Sequence, residues 1–222
     1  MSPLARSLVL LCLSAVALTA CTTPAVDDAS GAVPVTPLLT DGLPDPCSAD
    51  RPRVSDLIGD DLGEGRAADL PWPGCRWTTA GGEAVVVSRS WVGDWMAAVP
   101  DLFAAIRSSD VYDAADRATL EDLRSRVQAG DPLDRGASCG LYGLVLQAYG
   151  GLADDLPRRV DPDAGVIATF VEDAAGRHTV QATRCDEGVL TRVSIEGTGP
   201  ADPEEEMARS LEVAASLSDG TP

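Results

Sequence analysis

The chain reads as an α+β protein: an antiparallel β-sheet with helices packed on one face, stapled by two disulfides. Three observations predict this. Short segments of alternating apolar and polar residues, divided by glycine turns, run from 166 to 196 in the manner of an antiparallel meander. Around them lie segments with apolar residues every three or four positions, at 92–108, 113–129 and 203–217, the spacing of helices. Four cysteines, at 47, 75, 139 and 185, fall within the same body. Strands and helices in separate runs, with no βαβ alternation, point to α+β rather than to a parallel sheet.

The elements follow in order. Asp50 to Ile58 has the makings of a short helix stopped by Gly59. Cys75–Thr79 and Glu83–Trp91 flank Gly81-Gly82, which suits a two-residue hairpin loop; in that register Trp77 pairs with Val86 and faces away from Trp91. Val92 to Ser108 has helical spacing, with Pro100 expected to kink it or begin a second helix. Asp113 can cap a helix reaching Ala129, in which Leu120, Leu123 and Val127 form one stripe. Leu141 to Tyr149 is apolar enough for either strand or helix. Strands are expected at Val166–Glu172, Arg177–Cys185 and Val189–Glu196, turning at Ala174-Ala175-Gly176 and Asp186-Glu187-Gly188. A last helix runs from Pro203 to Leu217, with Asp202 as its cap and Glu204 to Glu206 in its first turn.

Before this body comes an address. Residues 1–20 carry one positive charge, Arg6, then an apolar run from Leu8 to Leu18, then small residues before Cys21. The run is shorter than the ~20 residues that span a bilayer and has the shape of a secretory signal peptide. Leu18-Thr19-Ala20-Cys21 resembles the bacterial lipobox, which implies cleavage before Cys21 and attachment of acyl chains to it. Two or more chains, at about 0.8 kcal/mol per buried methylene, anchor a protein stably. Residues 21–46 then form the lipidated N-terminus and a flexible tether with prolines at 24, 34, 37, 44 and 46. As a coil, ~25 residues span roughly 25–30 Å root-mean-square. Residues 47–222 are expected to be a single extracytoplasmic domain.

Composition narrows the function. The 222 residues include 17 basic and 35 acidic side chains, for a net charge of −18, with one His and no Lys or Asn. Removing the first twenty residues leaves 16 basic against 35 acidic, a net of −19. Such a chain lacks the basic footprint that nucleic acid requires, so no nucleic-acid partner is expected. Anionic lipid would repel the body, so the acyl chains at Cys21 are expected to hold it at the membrane. The missing Lys and Asn, both A-rich codons, fit a GC-rich source. Leu, Ile, Val and Phe make up about 21% of the chain after residue 20, close to the ~20% below which chains tend to disorder, so covalent staples matter. Four cysteines allow three pairings. Cys47–Cys75 and Cys139–Cys185 are expected because they are sequential and close loops of moderate length. No CxxC pair supports a zinc site, and no cofactor is expected.

Four features invite a chemical reading. Gly136-Ala137-Ser138-Cys139-Gly140 matches the G-x-S-x-G nucleophile elbow, and His178 follows it. The elbow needs a buried strand before the serine, and Asp131-Pro132-Leu133-Asp134-Arg135 is not one, so no catalytic residue is assigned. His178 itself is expected half-buried at a strand end beside Val180 and Ala182. The acidic clusters at Asp60-Asp61-Glu64, at Asp154-Asp155 with Asp161 and Asp163, and at Glu204–Glu206 lack the alternating spacing of a calcium loop; no metal site is assigned. Trp72, Trp77, Trp91 and Trp95 all fall within 24 positions and are the candidate ligand surface, with core packing as the plainer alternative.

Asp45-Pro46-Cys47, the helical segment ending at Gly59, and Cys75-Arg76-Trp77 entering a strand are similar to an actinobacterial lipoprotein family of unknown function. The resemblance covers Asp45 to Thr79 closely and the remainder in architecture only. It implies a lipobox, a Pro-rich tether, a sheet and a C-terminal helix, and supplies no catalytic residues. The chain departs from it at Asp202–Glu206, where members often carry a Cys, and at 92–130, which looks inserted. A weaker resemblance is to cystine-stapled extracellular sensor domains of mycobacterial kinases. The expected function is therefore a non-catalytic lipoprotein domain, lipid-anchored at the extracytoplasmic face of the cell membrane, binding an envelope protein or small ligand. The alternatives are an envelope hydrolase with an acidic site, and a sensor module acting in trans with a membrane kinase.

Overall fold

The computed structural model describes residues 42–59, 61–68, 73–98, 112–129, 134–150 and 156–218. The expected signal peptide, Cys21, the expected tether as far as residue 41, Asp60, Trp72, the expected kink at Pro100, Asp154 and Asp155 lie outside these residues.

Strands β1 (Arg66–Ala67), β2 (Gly74–Thr78), β3 (Ala84–Trp91), β4 (Arg158–Asp161), β5 (Val166–Glu172), β6 (Arg177–Asp186) and β7 (Val189–Thr198) form one sheet in the order β1-β2-β3-β7-β6-β5-β4. Every pairing is antiparallel. Two meanders thus meet where β3 pairs with β7. The helices are α1 (Pro46–Ala49), α2 (Arg51–Ile58), α3 (Val92–Ala98), α4 (Ala114–Ala129), α5 (Arg135–Gly150) and α6 (Pro203–Ser218). The α+β class with two disulfides is what the sequence predicts. The short strands β1 and β4 were not anticipated, because two and four residues carry too little alternation to register.

The main core lies on one face of the sheet. Trp77, Val85, Val87, Val180, Ala182, Val193 and Ile195 point to it from the strands, and α2 and α6 cover it with Val54, Met207, Val213, Ala214 and Leu217. Asp202 starts α6 by accepting the N–H of Glu204 at 2.9 Å and of Glu205 at 3.2 Å on Oδ1. Its three glutamates sit where the helix dipole favours negative charge. Helices also reach the second face, because alternation leaves Cys185 and Leu190 there with apolar surface to bury. Leu141, Tyr142, Val145 and Leu146 of α5 supply the cover.

Two local expectations change. The β2–β3 loop has three residues, Ala80-Gly81-Gly82, closed by Thr79 N–H to the Glu83 carbonyl at 2.9 Å. Gly82 N–H donates to Thr79 O at 3.0 Å, and Gly82 takes φ 90°, the turn plus left-handed residue of a three-residue hairpin. The extra residue shifts the register by one: Trp77 pairs with Val85, not Val86, and shares a face with position 91 rather than opposing it. The second change is that Leu141–Tyr149, open to either assignment, is helical. Asp134 Oδ1 caps α5 by accepting the Ala137 N–H at 2.8 Å, and the buried positions 141, 142, 145 and 146 keep a helical period.

Candidate functional site

Three pieces of backbone meet at one end of the sheet: the first turns of α5, the β4–β5 turn at Pro162–Gly165, and the β6–β7 turn. The β6–β7 loop is two residues, Glu187 at φ 45° and Gly188 at φ 81°, the geometry of a type I′ hairpin. Gly188 anchors its neighbours. Its carbonyl accepts the Val92 N–H at 2.9 Å, and its own N–H donates to Cys139 Sγ at 3.3 Å. Cys139 and Cys185 are disulfide-bonded, with Cα atoms 5.6 Å apart, so α5 is clasped to β6. At Gly143 a Cβ would come within 2.6 Å of the Pro162 carbonyl oxygen, so only glycine lets the helix approach this turn. At Gly140 a Cβ would meet nothing within 4 Å.

The space in front of Gly140 is an open cleft of about 640 Å³. Gly136, Cys139, Gly140, Gly143 and Gln147 line it from α5, with Asp163, Cys185 and Asp186 contributed by the β4–β5 turn and the end of β6. Arg135 donates to Glu187 across its rim at 2.9 Å, and both side chains are well exposed, so the pair is screened and weak. Asp163, Asp186 and Glu187 outnumber Arg135 in its lining, so the cleft is net negative. Its size is within the ~300–1,000 Å³ range of small-molecule sites.

Of the residues singled out from the sequence, Gly136, Cys139, Gly140, Asp163 and Cys185 line this cleft, and the others fall elsewhere. Cys47 and Cys75 are bonded, with Cα atoms 5.0 Å apart, tying α1 to β2. Trp77 is 1% exposed in the first-face core. Trp95 lies against the other face, edge-on to Tyr142 with ring centroids 5.4 Å apart. Trp91 is half-buried at the end of β3. Trp77 and Trp95 are therefore not brought to one surface. Burial pushes the Tyr142 phenol up to about 12, against smaller lowering influences from Arg192 and a hydrogen bond with Thr183; it stays a neutral hydrogen-bonding group.

Ser138 sits in the first turn of α5, where its hydroxyl donates to the Asp134 carbonyl at 2.8 Å, and no strand enters it. His178 is fully rather than half buried, at 5% exposure, and stacks on Phe170 with centroids 5.7 Å apart. A Cβ at Gly197 would come within 2.6 Å of its Nε2. Ser138 packs at the Gly188 end of β6, on the second face, whereas His178 is at the other end on the first. Seven residues of strand, roughly 23 Å, intervene, so the two form no dyad. Among the described residues no three His, Cys, Asp or Glu side chains converge as metal ligands.

Two features were missed from the sequence. One is the cleft itself, whose floor is made of absent side chains. The other is a buried ion pair: Arg89 of β3 donates to Asp50 at 2.5 and 2.8 Å and to the Leu217 carbonyl at 3.2 Å. A lone Arg at a core-facing strand position was its only signal. No family model matches the chain, and no curated protein does.

Proposed function

We propose that the chain is a lipid-anchored binding domain of the extracytoplasmic membrane face, tethered through Cys21, and that the cleft beside Cys139–Cys185 receives its small ligand. The observation that carries the binding reading is the open space in front of Gly140, ringed by backbone from three elements, α5 and β6 joined by a disulfide and the β4–β5 turn bonded to β6 through Cys185 N–H to the Gly165 carbonyl. Rigid walls of this kind reduce the ordering cost of binding. The anchor rests on the lipobox resemblance at Leu18–Cys21 and on a body too acidic to adhere to anionic lipid by charge. Among the described residues no helix is long and apolar enough to cross a membrane. The similarity of Asp45–Thr79 to actinobacterial lipoproteins supports the same placement.

Each half has its own test. Cys21→Ser should move the protein from the membrane fraction to the medium; unchanged membrane retention would refute the anchor. Amide shift mapping with a small-molecule fragment library should give perturbations clustered at Gly140, Gly143 and Gly165. Perturbations confined to other faces would remove the cleft as the ligand site.

A further inference from the structure

The two disulfides occupy different settings. Cys75 is fully buried in the first-face core, where the Gly65 backbone approaches so closely that a Cβ there would stand 2.8 Å from its Sγ. Cys47 is half-buried, like Cys139, but reducing Cys47–Cys75 leaves the Cys75 thiol inside the core. Cys139–Cys185 instead lies in the wall of the cleft. Glycines surround it: Gly140 faces open space, Gly165 would place a Cβ 3.2 Å from Cys185 Cβ, and Gly188 directs its N–H at Cys139 Sγ. None of these positions contributes a side chain that shields the bond. Cys139 is half-buried and Cys185 is 7% exposed, so Cys139 is the more accessible of the two residues. A backbone N–H already directed at that sulfur stabilises it as a thiolate.

We propose that Cys139–Cys185 is a thiol–disulfide exchange site, opened by an extracytoplasmic dithiol while Cys47–Cys75 stays closed. One thiolate of the dithiol enters the cleft and attacks Cys139 Sγ. The bond to Cys185 breaks, and Cys185 leaves as a thiolate that takes a proton from solvent. The second thiol of the reagent loses its proton to solvent and attacks the reagent sulfur of the mixed disulfide. Cys139 then leaves as a thiolate facing the Gly188 N–H. Two electrons have passed to the protein, the dithiol has become a disulfide, and both cysteines are reduced. Exchange with a disulfide oxidant reverses the sequence. The apolar face of α5 holds the helix on the sheet throughout, so the change is confined to the clasp and the cleft wall.

The experiment treats the purified protein with dithiothreitol in native buffer, quenches with iodoacetamide and maps labelled peptides against time. Cys139 and Cys185 should be labelled at least about tenfold faster than Cys47 and Cys75, with unchanged far-UV circular dichroism. Cys47–Cys75 opening first, both bonds opening together, or labelling only after the dichroism is lost would overturn the proposal. Gly140→Leu, which puts a side chain into the cleft, should slow the opening about tenfold; an unchanged rate would refute entry through the cleft.

Discussion

Asp50 and Arg89 form the ion pair most removed from water among the described residues, each 4% exposed at the side chain. Asp50 sits at the N-cap of α2 but makes no cap hydrogen bond with its side chain, because both carboxylate oxygens are engaged by the guanidinium. The bidentate fork plus the bond to the Leu217 carbonyl joins α2, β3 and the end of α6 at one point. Arg89→Ala would leave a carboxylate buried without its partner and should destabilise by about 3–5 kcal/mol in urea unfolding. Replacing both residues by leucine should recover most of that loss, since desolvation of both charges disappears. A loss below about 1 kcal/mol for Arg89→Ala would show the pair to be hydrated in solution. Half of this pair was legible: alternation puts Arg89 on the side of Val85 and Val87. Its partner, 39 positions earlier, was not, because no local rule couples a helix cap to a strand.

At the level of elements, α5 shows how one helix serves packing and a site together. Its apolar stripe buries Leu141, Tyr142, Val145 and Leu146, while Gly136, Gly140 and Gly143 face the cleft. The glycines differ in kind. Gly143 is required by the Pro162 carbonyl, whereas Gly140 has room for a side chain and weakens the helix by being glycine. Gly140→Leu should therefore raise stability by about 0.5–1 kcal/mol in urea unfolding while abolishing fragment binding in the cleft. Destabilisation instead would mean that the space is closed in solution. The helical period of α5 was present in the sequence, but its length was ambiguous between strand and helix until burial on one face decided it. The β2–β3 hairpin failed in a similar way. Gly81-Gly82 signals a turn, yet whether the loop counts two or three residues depends on the Thr79–Glu83 closure, and one residue moves every side chain on β2 to a new partner.

At the scale of the molecule, two covalent links among the described residues join elements distant in sequence. The spans are 28 and 46 residues, for which loop-closure entropy alone predicts roughly 3.5–4 kcal/mol each, slightly more for the longer. Packing reverses that order. Cys75 is part of the core, and its loss leaves a gap beside Trp77 and Gly65. Cys139–Cys185 borders open space. Thermal unfolding should accordingly show a larger loss for the Cys47→Ala/Cys75→Ala variant than for Cys139→Ala/Cys185→Ala, despite the shorter loop. The opposite ranking would indicate that chain entropy governs.

The sequence by itself determined the class of fold, the main strands and final helix, and the expectation of the two cysteine pairings. Periodicity, caps and cysteine spacing are local or nearly local properties, so they can be read in one dimension. The tertiary structure decided the hairpin register, the helical state of Leu141–Tyr149, the separation of Ser138 from His178, and the placing of Trp77 and Trp95 at different faces. It alone revealed the Asp50–Arg89 pair and the cleft. Each of these depends on which surfaces meet across the sheet, and a cleft floored by glycine leaves no side-chain pattern to read.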